Sequence, residues 1–351
     1  MIDLIGEYDL VLCGASRGFL RCGEADEVLM KEAVDLARSV DVVIYCFGLD
    51  ELSESEGIDR THMRIPQNQI SLLEAISRVN ENVVGILSAG AAVEMPWHHC
   101  LKGMIHGAML DIITGKVNPS GRLNETYPVR YEDTPAFKYF PSEQRNSEYR
   151  EALYVGYRYY DTAKVKALYP FGFGLSYTKF EYSGLKVGKD GAEFTLTNTG
   201  GQDGAEVAQL YIGKSDGKVF RPEKELKGFQ KVFLKAGESR TVTIPFDDKT
   251  FRYWNVRTKR WEIEGGAYTV MVGASCLDIR LTAETQVRGT TETYPYYTNR
   301  MPSYYSGLIR QVEDGEFREL LGYPIPSGKW SGELTVNDAI CQMYYAKSPI
   351  A

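Results

Sequence analysis

The sequence predicts two folded parts, an α/β domain with a partly parallel sheet followed by an all-β sandwich. Two observations support this prediction. Over residues 10–90, continuous apolar runs alternate with stretches of helical periodicity, which is the signature of a parallel sheet with flanking helices. Over residues 176–287, apolar and polar residues alternate with a period of two, and Gly-containing turns separate the runs.

Three continuous apolar runs are the predicted strands of the first domain, at residues 10–14, 41–49 and 83–90. A run that is apolar throughout indicates burial on both faces, as in a parallel sheet, so Cys13 and Cys46 are expected to be small core residues. Helical periodicity separates the runs, first over residues 24–40 and then over the stretch that begins at Pro66. Proline is tolerated there because the first helical turn does not use the missing N–H.

The predicted segments are an α/β domain, a connection, a β-sandwich and a C-terminal extension, at residues 1–127, 128–175, 176–287 and 288–351. Late in the first domain the pattern is compressed, because residues 98–107 and 108–114 both look helical and leave no room for a strand. The connection is rich in Tyr, Pro and Gly, which indicates an ordered segment rather than a flexible linker. The extension has one modest predicted helix, at residues 312–321.

Composition and charge argue against several classes of protein. Forty basic against 47 acidic residues give a formal net charge of −7, so the chain lacks the basic excess that nucleic-acid binding requires. No stretch approaches the roughly 18 apolar residues of a membrane span, and the N-terminus does not read as a signal peptide. The six cysteines are scattered, which is typical of neither a disulfide framework nor a metal site. A cytoplasmic location is therefore expected.

An acidic loop directly after the strongest predicted strand is the first candidate for chemistry. It occupies residues 50–60, and ligands of α/β sheets bind beyond the carboxyl ends of strands. Crowding raises the pKa of one carboxyl group in such a loop, and a carboxyl group that keeps its proton near neutral pH can act as a general acid. Gly57 would let the backbone turn beside Glu56, and Arg60 would brace the loop by pairing with Asp59. The plainer alternative is a solvated acidic loop.

Other motifs indicate no cofactor. The four histidines, His62, His98, His99 and His106, match no metal-ligand spacing. Residues 14–18 resemble a nucleotide-binding loop only loosely, since they match neither G-x-G-x-x-G nor G-x-x-x-x-G-K-[ST]. No G-x-S-x-G nucleophile motif is present.

Several short segments occur together in one order along the chain. They are residues 41–50, 54–60, 72–75 with Asn80, 94–97, 115–123, 154–161, 169–178 and 225–229. Among their motifs are Ser-Glu-Gly-Ile-Asp-Arg, Asn-Pro-Ser-Gly-Arg and Tyr-Pro-Phe-Gly-Phe-Gly-Leu-Ser-Tyr-Thr. Through these segments, which span about residues 10–287, the chain resembles the C-terminal half of glycoside hydrolase family 3, the β-glucosidase family.

The resemblance implies a fold and a mechanism. Members combine a (β/α)8 barrel, which carries an Asp nucleophile, with an α/β sandwich domain that lends the acid/base carboxylate. A fibronectin type III-like domain, an immunoglobulin-like β-sandwich, follows. In members with the S-E-G-x-D-R pattern the acid/base residue is the Glu before the Gly, which corresponds to Glu56 here. The implied reaction is retaining hydrolysis of β-glucosides or related oligosaccharides by two carboxylates about 5–5.5 Å apart, without a cofactor.

The chain departs from the family in two places. A (β/α)8 barrel needs about 250 residues with eight βα repeats. Residues 1–175 show about three such units, so the barrel and its nucleophile are expected to lie outside this chain. Members also have a Gly-rich stretch between the positions of Gly107 and Ala108, which adjoin here. Either a segment is missing here, or the α/β domain is damaged at this point.

Three functions remain open on the sequence alone. The first is an enzyme whose acid/base half works only with a barrel supplied in cis or in trans. The second is a non-catalytic remnant, or a carbohydrate-binding or assembly module. The third is a nucleotide-binding α/β protein, against which the lack of a phosphate loop counts. For the enzyme, β-glucosides are the first expectation and β-xylosides the second.

Overall fold

The computed structural model describes residues 10–21, 23–56, 59–106, 110–141, 146–295 and 298–329, with six further residues between 332 and 347. Within this described part, no helix combines the length and the apolar character needed to cross a membrane. The architecture is the predicted one, an α/β region followed by an antiparallel β-sandwich.

Helices and strands alternate through the first region. In chain order they are α1 (Glu27–Ala37), β1 (Val43–Gly48), α2 (Gln67–Ser77), β2 (Val83–Ser88), β3 (Gly103–His106) and α3 (Leu110–Ile113). The strands form a parallel sheet in the order β1-β2-β3. Helix α1 begins where the Asp26 carboxylate accepts hydrogen bonds from the N–H groups of Val28 and Leu29, both at 3.0 Å. These bonds satisfy two of the donors that a helix N-terminus leaves free.

The core of this region lies on one face of the sheet. Both α1 and α2 pack there, and Tyr45 and Phe47 of β1 are buried beneath them. Cys46 is exposed on the opposite face, and Cys13 is exposed as well. The prediction that both cysteines are core residues is therefore wrong. The helices cover only one side of β1, which stands at the end of the sheet order, and the segment around Cys13 is not a strand.

The first predicted strand, at residues 10–14, is also wrong. These residues form no strand, and Val11 is 87% exposed. A strand needs a neighbour that pairs with its N–H and C=O groups. No segment in the described ranges pairs with residues 10–14, so their apolar character alone does not make them a strand.

The predicted helix at residues 98–107 is replaced by a strand. A single 3₁₀ turn at His98–Cys100 comes first, and β3 then pairs in parallel with β2, with Met104 opposite Gly85. Four residues are too few to show a period of two in the sequence. The junction of Gly107 with Ala108 lies outside the described residues.

The connection is ordered by aromatic packing. Its elements are β4 (Tyr127–Pro128), α4 (Tyr157–Ala163) and β5 (Ala167–Tyr169). Strands β4 and β5 pair with each other antiparallel, and the side chains of Tyr154, Tyr159 and Tyr160 are buried. A buried tyrosine hydroxyl needs a partner, and that of Tyr154 donates to the backbone carbonyl of Tyr304. The tyrosine-rich connection thus packs as an ordered structural element.

The second region is a sandwich of two antiparallel sheets. Its strands are β6 (Phe180–Val187), β7 (Gly191–Asn198), β8 (Gly204–Gly213), β9 (Glu225–Leu234), β10 (Ser239–Pro245), β11 (Arg252–Asn255), β12 (Arg260–Ile263), β13 (Gly266–Gly273) and β14 (Ile279–Val287). One sheet has the order β10-β7-β6 and the other β14-β13-β8-β9, whereas β11 and β12 form a separate hairpin. Inward side chains of both sheets, among them Phe194, Leu210 and Val270, make one buried core.

The C-terminal extension packs back onto the connection. Its helices are α5 (Pro302–Ser306) and α6 (Asp314–Leu321). The buried guanidinium of Arg150 donates to the Val312 carbonyl at 2.8 Å and to the Asp314 carboxylate at 2.7 Å. It also lies over the ring of Phe317. The extension therefore encloses part of the aromatic core around Tyr154.

Candidate active site

Gly48 ends β1 and sets the point where the acidic loop begins. Its φ is +145°, and a Cβ at this position would lie 1.9 Å from the Ser88 carbonyl oxygen of β2, so only glycine fits. The Gln69 side chain of α2 brackets Gly48, accepting a hydrogen bond from its N–H at 2.8 Å and donating to its carbonyl at 3.0 Å. The loop therefore leaves the carboxyl edge of the sheet at a defined place, the edge where α/β folds bind ligands.

Asp50 closes the first turn of the loop. Its Oδ1 accepts hydrogen bonds from the Ser53 N–H at 3.0 Å and from the Ser53 hydroxyl at 2.9 Å, and Arg21 lies 3.1 Å from Oδ2. These donors, the Ser53 hydroxyl foremost, lower the pKa of Asp50 below its ordinary value. Asp50 therefore stays ionised and holds the loop, which leaves proton transfer to other carboxylates.

Glu54 joins the loop to the segment after β2. Its two carboxylate oxygens accept from the Gly90 N–H at 3.0 and 2.9 Å, and the Arg60 guanidinium lies 3.7 Å from Oε1. Arg60 thus braces the loop through Glu54 and not through Asp59, which was its expected partner. The sequence does not single out Glu54, because its acceptor role depends on a backbone N–H that is 36 residues away along the chain.

Glu56, the acid/base residue that the resemblance implies, is exposed on the loop. Among the described residues none donates a hydrogen bond to its carboxylate or forms an ion pair with it. Gly57 and Ile58 lie outside the described residues, and so does the turn expected at Gly57. An exposed carboxylate two residues beyond the Glu54 contact is accessible to a substrate or to a domain that covers this edge of the sheet.

A cleft of about 480 Å³ lies beside the loop. Its lining combines charged side chains of the loop with aromatic side chains of the connection, among them Glu54, Asp59, Arg60, Tyr131, Phe140 and Tyr160. The volume is in the range of small-molecule sites. Glu56 does not line this cleft, so the structure brings Asp59 and Arg60 together there and leaves Glu56 on the outer surface.

The histidines contact the backbone. His98 and His99 each place Nδ1 near a backbone carbonyl oxygen, at 2.8 and 3.0 Å. His106 lies 2.8 Å from the Ala89 carbonyl through Nε2 and 2.9 Å from the Tyr127 hydroxyl through Nδ1. Burial raises the pKa of Tyr127 to about 12, so its hydroxyl keeps the proton of this contact. No group of three potential metal ligands occurs within the described ranges.

Two family models match the chain. Residues 19–177 match the glycosyl hydrolase family 3 C-terminal domain, and residues 206–276 match a fibronectin type III-like domain. The first range contains the parallel sheet and the acidic loop, and the second lies within the β-sandwich.

The curated relatives are longer than this chain. The thermostable β-glucosidase B of Acetivibrio thermocellus is 43% identical over 290 residues, which cover 78% of this chain and 38% of that protein. The exo-α-(1→6)-L-arabinopyranosidase of Bifidobacterium longum is 42% identical over 286 residues, which cover 77% and 38%. The chain thus spans about 38% of the length of these two relatives.

Solved structures share the fold. The family 3 β-glucosidase of Bifidobacterium adolescentis superposes with a TM-score of 0.76 at 41% identity, covering 80% of this chain and 44% of that one. The β-glucosidase of Kluyveromyces marxianus in complex with glucose gives a TM-score of 0.70 at 37% identity, covering 76% and 34%. The predicted fold class and the predicted resemblance are both confirmed.

Proposed function

We propose that this chain, which belongs to glycoside hydrolase family 3 and matches the C-terminal half of its members, is the acid/base half of a retaining β-glucosidase. The observation that carries the proposal is the position of Glu56. This residue precedes Gly57 in the Ser-Glu-Gly-Ile-Asp-Arg segment. It lies on a loop that leaves the carboxyl edge of the sheet and is held by the contact of Glu54 with Gly90.

In the proposed reaction two carboxyl groups act on opposite sides of one bond. Glu56 gives its proton to the glycosidic oxygen as the bond to the anomeric carbon breaks, while an Asp on the barrel attacks that carbon and forms a glycosyl ester. Glu56, now a carboxylate, takes a proton from water as the water oxygen attacks the anomeric carbon and displaces the Asp. Both carboxyl groups return to their starting states, so the reaction consumes only water and the glycoside.

The exposure of Glu56 supports a dependence on a barrel in cis or in trans. A retaining pair lies about 5–5.5 Å apart, so the barrel must cover the acidic loop. Covering the loop also excludes bulk water from the scissile bond, which strengthens the electrostatic interactions there. The contribution of this chain is positioning, because Gly48 and Gln69 define where the loop starts and Glu54 holds its middle.

The proposed substrates are β-glucosides or related oligosaccharides. The relatives include β-glucosidases and an exo-α-(1→6)-L-arabinopyranosidase, so similar C-terminal halves occur in enzymes for different glycosides. Most contacts with the sugar would come from the barrel, while Glu56 supplies proton transfer that is independent of the sugar's identity.

A first experiment compares the chain alone with the chain joined to a barrel. The chain alone should not cleave an aryl β-glucoside, because the proposed nucleophile belongs to the barrel. A fusion that places a family 3 barrel before residue 10 should cleave it. Turnover by the chain alone, in a preparation free of other glycosidases, would contradict the division of labour proposed here.

A second experiment tests Glu56 in the fusion. Glu56→Gln should lower kcat/KM for cellobiose by about 10²–10⁴-fold, because the sugar alkoxide must then leave without a proton. A 2,4-dinitrophenyl β-glucoside, whose leaving group needs no proton, should lose far less in the glycosyl-transfer step. Glu51→Gln is the matched control, since Glu51 is an exposed carboxylate of the same loop, paired with Arg21. Undiminished cellobiose turnover by Glu56→Gln would overturn the assignment.

A further inference from the structure

The hairpin of β11 and β12 carries two exposed tryptophans side by side. Trp254 and Trp261 are directly opposite each other in the strand register. Their ring centroids are 5.5 Å apart at an interplanar angle of 72°, and they are 49% and 54% exposed. By contrast, Trp97 is 1% exposed. Large aromatic rings that lie together in water are characteristic of binding surfaces.

The other face of the hairpin is fixed to the segment that follows β14. Asn255 is fully buried, and its side chain donates to the Thr293 carbonyl at 2.7 Å. The buried Glu262 accepts hydrogen bonds from the hydroxyls of Thr258 and Thr290. These contacts hold the strands without covering the indoles. A ligand would therefore meet a surface that is already ordered, which reduces the entropic cost of binding.

Positive charge lies at the turn end of the hairpin that carries the two indoles. The guanidinium of Arg252 lies 4.4 Å from the centroid of the Trp261 ring and is paired with Asp248. Lys259 lies in the turn and Arg260 begins β12 opposite Asn255; both are exposed, and neither has a carboxylate partner among the described residues. Lys259 also has a φ of +54°, a conformation that favours glycine, so backbone stability does not account for a lysine here. This basic turn stands out in a chain whose formal net charge is −7.

We propose that a polysaccharide that carries carboxylate groups binds this end of the hairpin, with its sugar rings on Trp254 and Trp261 and its carboxylates on Lys259 and Arg260 at the turn. The C–H faces of pyranose rings pack against indole rings, and ammonium and guanidinium groups pair with carboxylates. A neutral glycan would leave the two cations without a role. A protein partner would need about 800 Å² on each side, far more than two half-exposed rings supply. The site is independent of the acid/base assignment of Glu56.

The tryptophan pair also holds β11 against β12, as cross-strand aromatic pairs do. Removing a ring can therefore loosen the hairpin as well as the site. Lys259 and Arg260 have no such structural contact in the described part of the chain. A charge reversal at these two positions separates the binding role from the folding role.

Affinity electrophoresis of the full chain through gels that contain glucuronoxylan tests the proposal, with mobilities normalised to gels without polysaccharide. The wild type should be retarded by glucuronoxylan, less by neutral mixed-linkage β-glucan, and less still as the salt concentration rises. Trp254→Ala and the double variant Lys259→Glu/Arg260→Glu should each raise the apparent Kd about tenfold or more. Phe229→Ala removes a ring that is 67% exposed on β9 and should bind as the wild type does.

Melting temperatures of the variants show which losses of binding are losses of folding. A double charge variant that melts like the wild type and no longer binds glucuronoxylan supports the proposal. Three results overturn it: equal binding by the double variant and the wild type, equal retardation by glucuronoxylan and neutral β-glucan, or retention on anionic phospholipid vesicles without retardation by glucuronoxylan. If Trp254→Ala unfolds the hairpin, the charge variant alone decides between these outcomes.

Discussion

The acidic loop at residues 50–60 and the junction, where α4 meets the residues just before β9, both contain charged side chains. Their environments are opposite. In the loop, Glu51 and Glu56 are exposed. At the junction, Asp161 of α4 is buried and pairs at 2.9 Å with the equally buried ammonium of Lys224, which lies just before β9. Charge density in a sequence therefore does not locate a site. Exposed charge is available to a ligand, whereas buried and paired charge joins one part of the fold to another.

Burial shifts the pKa values of two carboxyl groups, those of Asp161 and Glu151, and such shifts are often taken as a sign of catalysis. It raises the pKa of Asp161, although Lys224 opposes the change. It also raises the pKa of Glu151, whose Oε2 has no hydrogen-bond partner within the described ranges. Perturbed carboxylates can mark active sites, but both of these groups are enclosed in the protein. Their shifts therefore reflect packing and not substrate chemistry.

Breaking the buried ion pair should give the largest change in stability. Lys224→Ala leaves the Asp161 carboxylate buried without its counter-ion, which should cost about 3–5 kcal/mol of unfolding free energy, measured by urea denaturation at neutral pH. Lys31→Ala is the matched control, because Lys31 pairs with Asp35 at 2.7 Å with a side chain that is 79% exposed. This exposed pair should contribute less than about 1 kcal/mol. Equal losses of unfolding free energy in the two variants would contradict the distinction between buried and exposed charge.

Glu151→Gln should change the unfolding free energy by a smaller amount, and the change should depend on pH. The ordinary pKa of a Glu side chain is 4.5, and burial raises that of Glu151 in the folded protein. The folded state therefore binds more protons than the unfolded chain between these two pKa values, and its stability falls as pH rises through that window. Glu151→Gln removes this decline, so the stability of the variant relative to the wild type should rise with pH across the window. Urea unfolding at several pH values measures this, and a pH-independent difference would contradict it.

Glu54→Ala, in the acidic loop, should give the smallest change in unfolding free energy and should also lower turnover. Glu54→Ala removes the contact with Gly90, but the Glu54 carboxylate and the Gly90 N–H are both accessible to water. The unfolding free energy should therefore fall by less than about 1 kcal/mol. In a barrel fusion, kcat for cellobiose should fall about tenfold or more, because Glu56 is displaced. Glu54→Gln keeps one acceptor and should be milder. A large loss of unfolding free energy with unchanged turnover would contradict this prediction. It would mean that Glu54 stabilises the fold, as the buried ion pair does, and does not position Glu56.

Much of the fold was predictable because it depends on local periods. The apolar residues of α2 recur with the helical period and those of β2 form a continuous run, and both elements form close to where these patterns place them. Strand β3 was missed because four residues show no period, and it exists through its pairing with β2. The exposure of Cys46 was missed because an uncovered sheet face is a property of how helices pack, not of the strand itself.

Patterns in the sequence were enough to predict the alternation of helices and strands over residues 24–90, the change from α/β to β-sandwich, the family resemblance and the place of the acidic loop after β1. All of these depend on residues that are close together in the chain. The contacts of Glu54 with Gly90 and of Asp161 with Lys224 became visible only in the three-dimensional fold. Such contacts join distant residues, and packing and the exclusion of water determine which charges become paired and which remain exposed.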